Sequence, residues 1–162
     1  MATETQLVRP ATAADAAALS RLMAIVQRLH AETEPEWFLL PEGDLFAPEF
    51  VREKLADPTH QFFVAEVDGQ VAGYVMTVEQ RRPTTPFSPA LFHLSIDQIC
   101  VHPDFRRRGL ARALLGRVRQ QAQELGVTGI QLGIWQFNEA SRAFFMGEGF
   151  LPKHTRYFQA MP

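Results

Sequence analysis

The sequence predicts an α/β domain in which a mixed, mostly antiparallel sheet is flanked by helices. Three observations predict it. Two long stretches, opening near Ala13 and at Leu110, repeat apolar residues at helical spacing. Two β-rich runs meet at the dipeptide Asp68-Gly69, and a later strand ends in a glycine-containing turn that opens the second long helix. The 162 residues, 46% hydrophobic and 21% charged, suffice for a core without staples, since a chain of this size buries about 70% of its unfolded surface. Residues 1–162 are therefore read as a single domain. The lone cysteine, Cys100, excludes an intrachain disulfide framework and a cysteine-based zinc site, and no metal is expected. Met1-Ala2-Thr3-Glu4 lacks a basic start followed by an apolar run, and no apolar stretch approaches the roughly 20 residues that span a bilayer. A cytoplasmic location without a membrane partner is expected. Lys+Arg 16 against Asp+Glu 18 gives a net charge of -2, so no general field attracts nucleic acid and any anion site must be local.

A strand opens the order. Thr12 and Asp15 then form a capping box with Asp in place of Glu, and Leu19, Leu22, Met23, Val26 and Leu29 recur at helical spacing, so a helix spans about Ala13 to His30. From Thr33 to Pro48, Pro35, Pro41, Gly43 and Pro48 interrupt Trp37, Phe38, Leu39 and Leu40, which predicts irregular chain bordering a pocket. A short helix, Glu49 to Ala56, follows Pro48 and ends at Asp57-Pro58. Gln61 to Val67 and Gln70 to Glu79 are the arms of a hairpin. Pro83, Pro86 and Pro89 break the second arm and stiffen an exposed loop from Arg81 to Ala90. Leu91 to Val101 is a strand interrupted by Asp97 and Gln98. Leu110, Leu114, Leu115, Val118, Ala122 and Leu125 keep helical period until Gly126 stops them. Gly129 to Trp135 reads as a buried strand, Asn138 caps a helix through Met146, and the chain from Phe150 returns to a final strand or pair.

The chemistry gathers where the strand Leu91 to Val101 ends: Ile99-Cys100-Val101-His102-Pro103-Asp104-Phe105-Arg106-Arg107-Arg108-Gly109-Leu110-Ala111. A basic run alone is ordinarily a solvated surface. Here it sits between a strand and a helix, where free backbone N–H groups and the positive end of the helix dipole hold an anion. Gly109 and Ala111 are small enough to let a diphosphate approach, and the three arginines add local charge. Neither the P-loop pattern nor the Gly-x-Gly-x-x-Gly dinucleotide fingerprint is present. Cys100 reads as a buried strand residue with no paired base, and so as no nucleophile. Trp37, Phe38, Phe46, Phe50, Phe87 and Phe92 read, for the most part, as rings that close the core under long loops.

Arg106-Arg107-Arg108-Gly109-Leu110-Ala111 resembles the pyrophosphate-binding motif of the GNAT superfamily of acyl-CoA-dependent N-acyltransferases: Gln or Arg, two residues, Gly, one residue, Gly or Ala. Val101-His102-Pro103 resembles its usual lead-in. The resemblance runs from Val8-Arg9-Pro10-Ala11 through the hairpin to Asn138, Ala140, Phe144, Gly149 and Phe150, which fit the family's second coenzyme region. It implies acetyl-CoA as donor and strands splayed at the acyl-CoA site. The pantetheine would lie along Ile99, Cys100 and Val101. The diphosphate would sit on the amides of Arg107 to Ala111 and on Arg112, with Arg106 and Arg108 nearby and Asn138 beside the thioester or pantetheine. The implied reaction is direct attack by a primary amine of a small molecule or peptide. Asp97 aligns with a position where some small-amine members carry an acidic base; its plainer reading is a carboxylate bonded to backbone or paired with an arginine. Glu66, Glu79, His93 and His30 are weaker base candidates, and His102 belongs to the turn. One departure stands out: many relatives carry, after the residue matching Phe144, a Tyr that protonates the departing thiolate, and Phe145 has no proton to give. That residue favours the competing reading, a module that kept the acyl-CoA cradle but lost transfer. The oligomeric state is open, with a homodimer among the options.

Overall fold

The structure is a computed structural model describing residues 5–40 and 46–161. The expectations for residues 1–4, Pro41 and Gly43 lie outside the described residues. The chain divides into two compact units, Met1–Leu132 and Gly133–Pro162.

The first unit is built on a five-stranded sheet in the order β1-β2-β3-β4-β5, with β1 Gln6–Pro10, β2 His60–Val67, β3 Gln70–Arg82, β4 Leu91–Val101 and β5 Gly129–Leu132. Neighbours are antiparallel except β4 and β5, which are parallel. Asp68 and Gly69 adopt φ of 49° and 79°, the two positive values that a tight hairpin turn needs. Helices α1 (Ala16–Thr33) and α2 (Pro48–Ala56) cover one face and α3 (Leu110–Leu125) the other. On the first face Leu19, Leu22, Met23 and Val51 pack against Phe62, Val64, Tyr74, Met76 and Cys100. Each such side chain, when large and fully buried, contributes about 1.5–3 kcal/mol.

Local chemistry sets the element boundaries. Before α1, a 3-10 turn spans Ala13–Asp15, and the Asp15 carboxylate accepts the Thr12 amide at 2.7 Å. The same carboxylate takes two guanidinium N–H groups of Arg9 at 2.8 Å, and Arg9 also reaches Glu66, tying β1, β2 and the start of α1 together. The hydrogen-bonded guanidinium pulls the Asp15 carboxyl down to about 2. Helix α1 runs past His30 to Thr33, until Pro35 forces Glu34 out of helical geometry, at φ −128° and ψ 66°. Gly126, at φ 65°, ends α3 where expected.

Three expectations need correction. Strand β4 is not interrupted at Asp97 and Gln98; it carries a bulge. Thr77 pairs with Ile96 and Met76 with Gln98, so Asp97 is an extra residue facing no partner. Strand β5 is shorter than Gly129 to Trp135 and only partly buried. The final strand or pair from Phe150 does not form among the described residues. The Phe150 amide instead bonds the Phe145 carbonyl at 2.9 Å, with Gly149 at φ 89°, closing the helix α4 (Glu139–Gly147). Residues 151–161 are exposed, and Pro152 lacks the N–H a ladder requires. Trp37, Phe50 and Phe87 also depart from the ring-under-loop reading: all three are exposed, Phe87 to 98% in the proline-rich loop.

Candidate active site

The segment after β4 folds as an open cradle of amides. A 3-10 turn, Pro103–Phe105, follows His102, whose Nδ1 accepts the Asp104 amide at 3.3 Å. Arg107 then takes φ 65°, and Gly109 φ 84° as the residue preceding α3. A non-glycine residue at positive φ costs about 1–2 kcal/mol, and such strain gathers where function demands a particular backbone shape. Alternation of this kind turns successive N–H groups towards one concavity. The amides of Arg107, Gly109, Leu110 and Ala111 have no hydrogen-bond acceptor among the described residues; the first bond into α3 is Ala113 N to Gly109 O at 3.0 Å. Gly109 offers no capping side chain, and the first turn of α3 holds no acidic residue. The helix dipole is therefore left for an external anion to complete.

The arginines divide their labour. Arg106 Nε donates to the Val101 carbonyl at 3.1 Å, and a guanidinium N–H of Arg108 donates to the Asp104 carbonyl at 3.1 Å. Gln6 Nε2 reaches the Arg108 carbonyl at 3.3 Å. Arg106 and Arg108 thus brace the turn, and the backbone supplies the open donors. Gln6 is a support that its sequence context does not reveal.

Beside the cradle the sheet opens. The last pair between β4 and β5 is Ile96 with Leu132, and β4 continues through Asp97, Gln98, Ile99, Cys100 and Val101 with no strand alongside on that edge among the described residues. Its main-chain groups on that edge are left without a strand partner among the described residues, at the position where the resemblance implies splayed strands. The bulge also re-aims the side chains. Ile96 pairs with Thr77, which bonds Gln121 of α3, whereas Cys100 and its partner Tyr74 pack in the α1 layer. Gln98 is carried to the α1 side, where its Oε1 accepts the Tyr74 hydroxyl at 2.7 Å. Burial raises the Tyr74 pKa, keeping it a neutral donor, and so the Gln98 amide presents its oxygen, not its nitrogen, to the hydroxyl. Tyr74 and Gln98 are candidates the sequence hides, because an alternation argument does not survive a bulge.

Asp97 is exposed. Cys100 is a buried residue of β4, and burial pushes its thiol up to about 11. His30 stacks on Phe38 with centroids 4.8 Å apart, and burial lowers its pKa. Glu66 is spent on Arg9, Glu79 pairs with Arg81 at 2.9 Å, and His93 Nδ1 lies 3.4 Å from Gln131 Oε1.

In the second unit Asn138 caps α4, its Oδ1 accepting the Ser141 amide at 3.1 Å. Phe145 is buried and meets Phe144 and Phe150 edge-on, at centroid distances of 5.0 and 5.2 Å. It is a core ring.

A family model described as the acetyltransferase (GNAT) family matches residues 23–150. An uncharacterized N-acetyltransferase of Lactobacillus delbrueckii subsp. lactis is 28% identical over 96 residues, which is 59% of this chain and 54% of that protein. The chain thus spans little more than half the length of that curated relative. A crystal structure of a mutant Bacillus halodurans protein superposes with a TM-score of 0.89 at 20% identity, covering 96% of this chain and 99% of that one. An aminoglycoside N-acetyltransferase solved in complex with CoA gives a TM-score of 0.72 at 16% identity, covering 99% and 97%. At these identities the structural likeness shows the fold.

Proposed function

From the premise that the chain belongs to the GNAT acetyltransferase family, we propose that it transfers an acetyl group from acetyl-CoA to a primary amine of a small molecule or peptide. The observation that carries this reading is the set of open amides at Arg107, Gly109, Leu110 and Ala111. A diphosphate fits them: the added Cβ at Gly109 would meet no atom within 4 Å, so the mouth of α3 is clear. Arg112 adds charge in the first turn, and the free edge of Ile99, Cys100 and Val101 receives the amide-bearing pantetheine arm. Asn138 and Phe144 are proposed coenzyme contacts on the resemblance alone. The family match runs across the boundary between the two units, which supports reading residues 1–162 as one domain.

When bound, acetyl-CoA supplies a thioester carbonyl. The chain's own contribution is positioning and polarisation: backbone N–H groups near Val101 stabilise the developing oxyanion, a role worth about 2.7–4 kcal/mol for a single donor. The acceptor enters as an ammonium of pKa about 10 and must lose a proton before attack. Asp97, exposed on the bulge, takes that proton through water. If Asp97→Asn leaves the rate and its pH profile intact, Asp97 has no such part. Phe145 favours a second reading, an acyl-CoA sensor without turnover.

Calorimetry with CoA, followed by thiol release from acetyl-CoA with a panel of primary amines, tests both. Binding with amine-dependent release supports the transferase. Binding without release across chemically diverse amines supports the sensor, and no heat with CoA overturns the cradle itself.

A further inference from the structure

Away from the coenzyme cradle, the carboxyl-terminal half of α3 and the facing ends of β2 and β3 line a half-open pocket of about 530 Å³, within the range of small-molecule sites. One wall carries Gln121, which is only 9% exposed. Its Oε1 accepts the hydroxyl of fully buried Thr77 at 2.9 Å, which fixes the orientation of the amide. Nε2 has no acceptor among the described residues and is reached by solvent on the pocket side.

One helical turn earlier, Arg117 lines the same wall. Its guanidinium lies 4.3 Å from the centre of the Phe63 ring and is held by Glu124 only at 3.4 and 3.5 Å, so Nε is unspent. Open donors therefore converge from Arg117 and Gln121. Open acceptors line the cavity too. Glu79 gives one oxygen to Arg81 at 2.9 Å and keeps the other. The two pairs, Arg81 with Glu79 and Arg117 with Glu124, balance in charge, so the walls favour neither a simple anion nor a simple cation. Pro10, Phe63 and Leu125 add an apolar surface.

We propose that this cavity binds a small zwitterion, a free α-amino acid with an apolar side chain. Its carboxylate meets Arg117 and Gln121, its ammonium meets Glu79, and its side chain lies against Phe63 and Leu125. The site is independent of acyl transfer.

L-leucine titrated into the full chain by calorimetry is the test, with 4-methylpentanoic acid and 3-methylbutylamine as probes lacking the ammonium and the carboxylate. Leucine is expected to bind with a Kd below about 10 mM, and each truncated probe at least about tenfold more weakly. Arg117→Met, which keeps the stem over Phe63, and Glu79→Gln are each expected to weaken leucine at least about tenfold. In Arg117→Met the affinity for CoA stays within about twofold, which shows that the fold and the cradle are intact. Three results overturn the proposal: no saturation by leucine, truncated probes that bind as tightly, or leucine binding indifferent to both substitutions. None of these bears on whether the chain transfers acetyl groups.

Discussion

Helix α3 begins and ends on left-handed glycines, and this gives a matched pair of substitutions. Gly109 has φ 84° and Gly126 φ 65°, and an added Cβ would meet nothing within 4 Å at either. Alanine at each position therefore adds backbone strain without a clash, about 1–2 kcal/mol. For a chain of this length that lowers Tm by roughly 2–8 °C, at about 2–4 °C per kcal/mol. The two differ in what lies beside them. Gly109 borders the open amides of Leu110 and Ala111, whereas the Gly126 amide is already bonded to Gln123 O at 3.1 Å. Gly109→Ala is expected to weaken CoA at least about tenfold, or about 1.4 kcal/mol, while Gly126→Ala leaves CoA affinity within about twofold. Scanning calorimetry gives the first quantity and isothermal titration the second. Equal Tm losses with unequal affinities support the cradle. Equal affinities, or a larger loss in Gly126→Ala, refute it.

Asp15→Asn removes a carboxylate whose folded pKa, about 2, lies below its ordinary 3.8, and so costs about 2 kcal/mol at neutral pH. Because the folded value is depressed, the contribution is complete above about pH 4 and fades as pH falls towards 2, so urea midpoints of variant and wild type should converge there. Tyr74→Phe leaves Gln98 Oε1 without its 2.7 Å donor and should cost about 1 kcal/mol in denaturant unfolding. Phe145→Tyr places a hydroxyl on a buried ring packed edge-on against the half-buried Phe144 and Phe150; a loss of about 1–3 kcal/mol is expected, with turnover raised less than about tenfold. A larger gain in rate would show that the site lacks a proton donor it can use.

Much of this molecule is written in local chemistry and is therefore legible. Asp68-Gly69 dictates its turn, Pro48 opens a helix, Gly126 closes one, and the strand, glycine turn and helix around Gly109 stand where their residues place them. What escaped depends on contacts distant in sequence. Phe150 looks like the start of a strand because β propensity says nothing of the bond it makes to Phe145 at the end of α4. Arg106 and Arg108 look like phosphate ligands, yet their guanidinium groups fold back onto the Val101 and Asp104 carbonyls. Tyr74 and Gln98 meet only because two strands align in one register. The Asp97–Gln98 polar pair, visible as a break in pattern, marks a bulge that a period-of-two argument has no means to represent.

That one supernumerary residue uncouples the two ends of β4. The stretch before Asp97 answers to α3, and the stretch after it answers to α1. Changes at Gln98 can therefore accumulate and redraw the α1 side while α3 on the opposite face goes undisturbed. One face of the sheet can thus diversify without the other, and only deletion of the extra residue would bind the two fates together again.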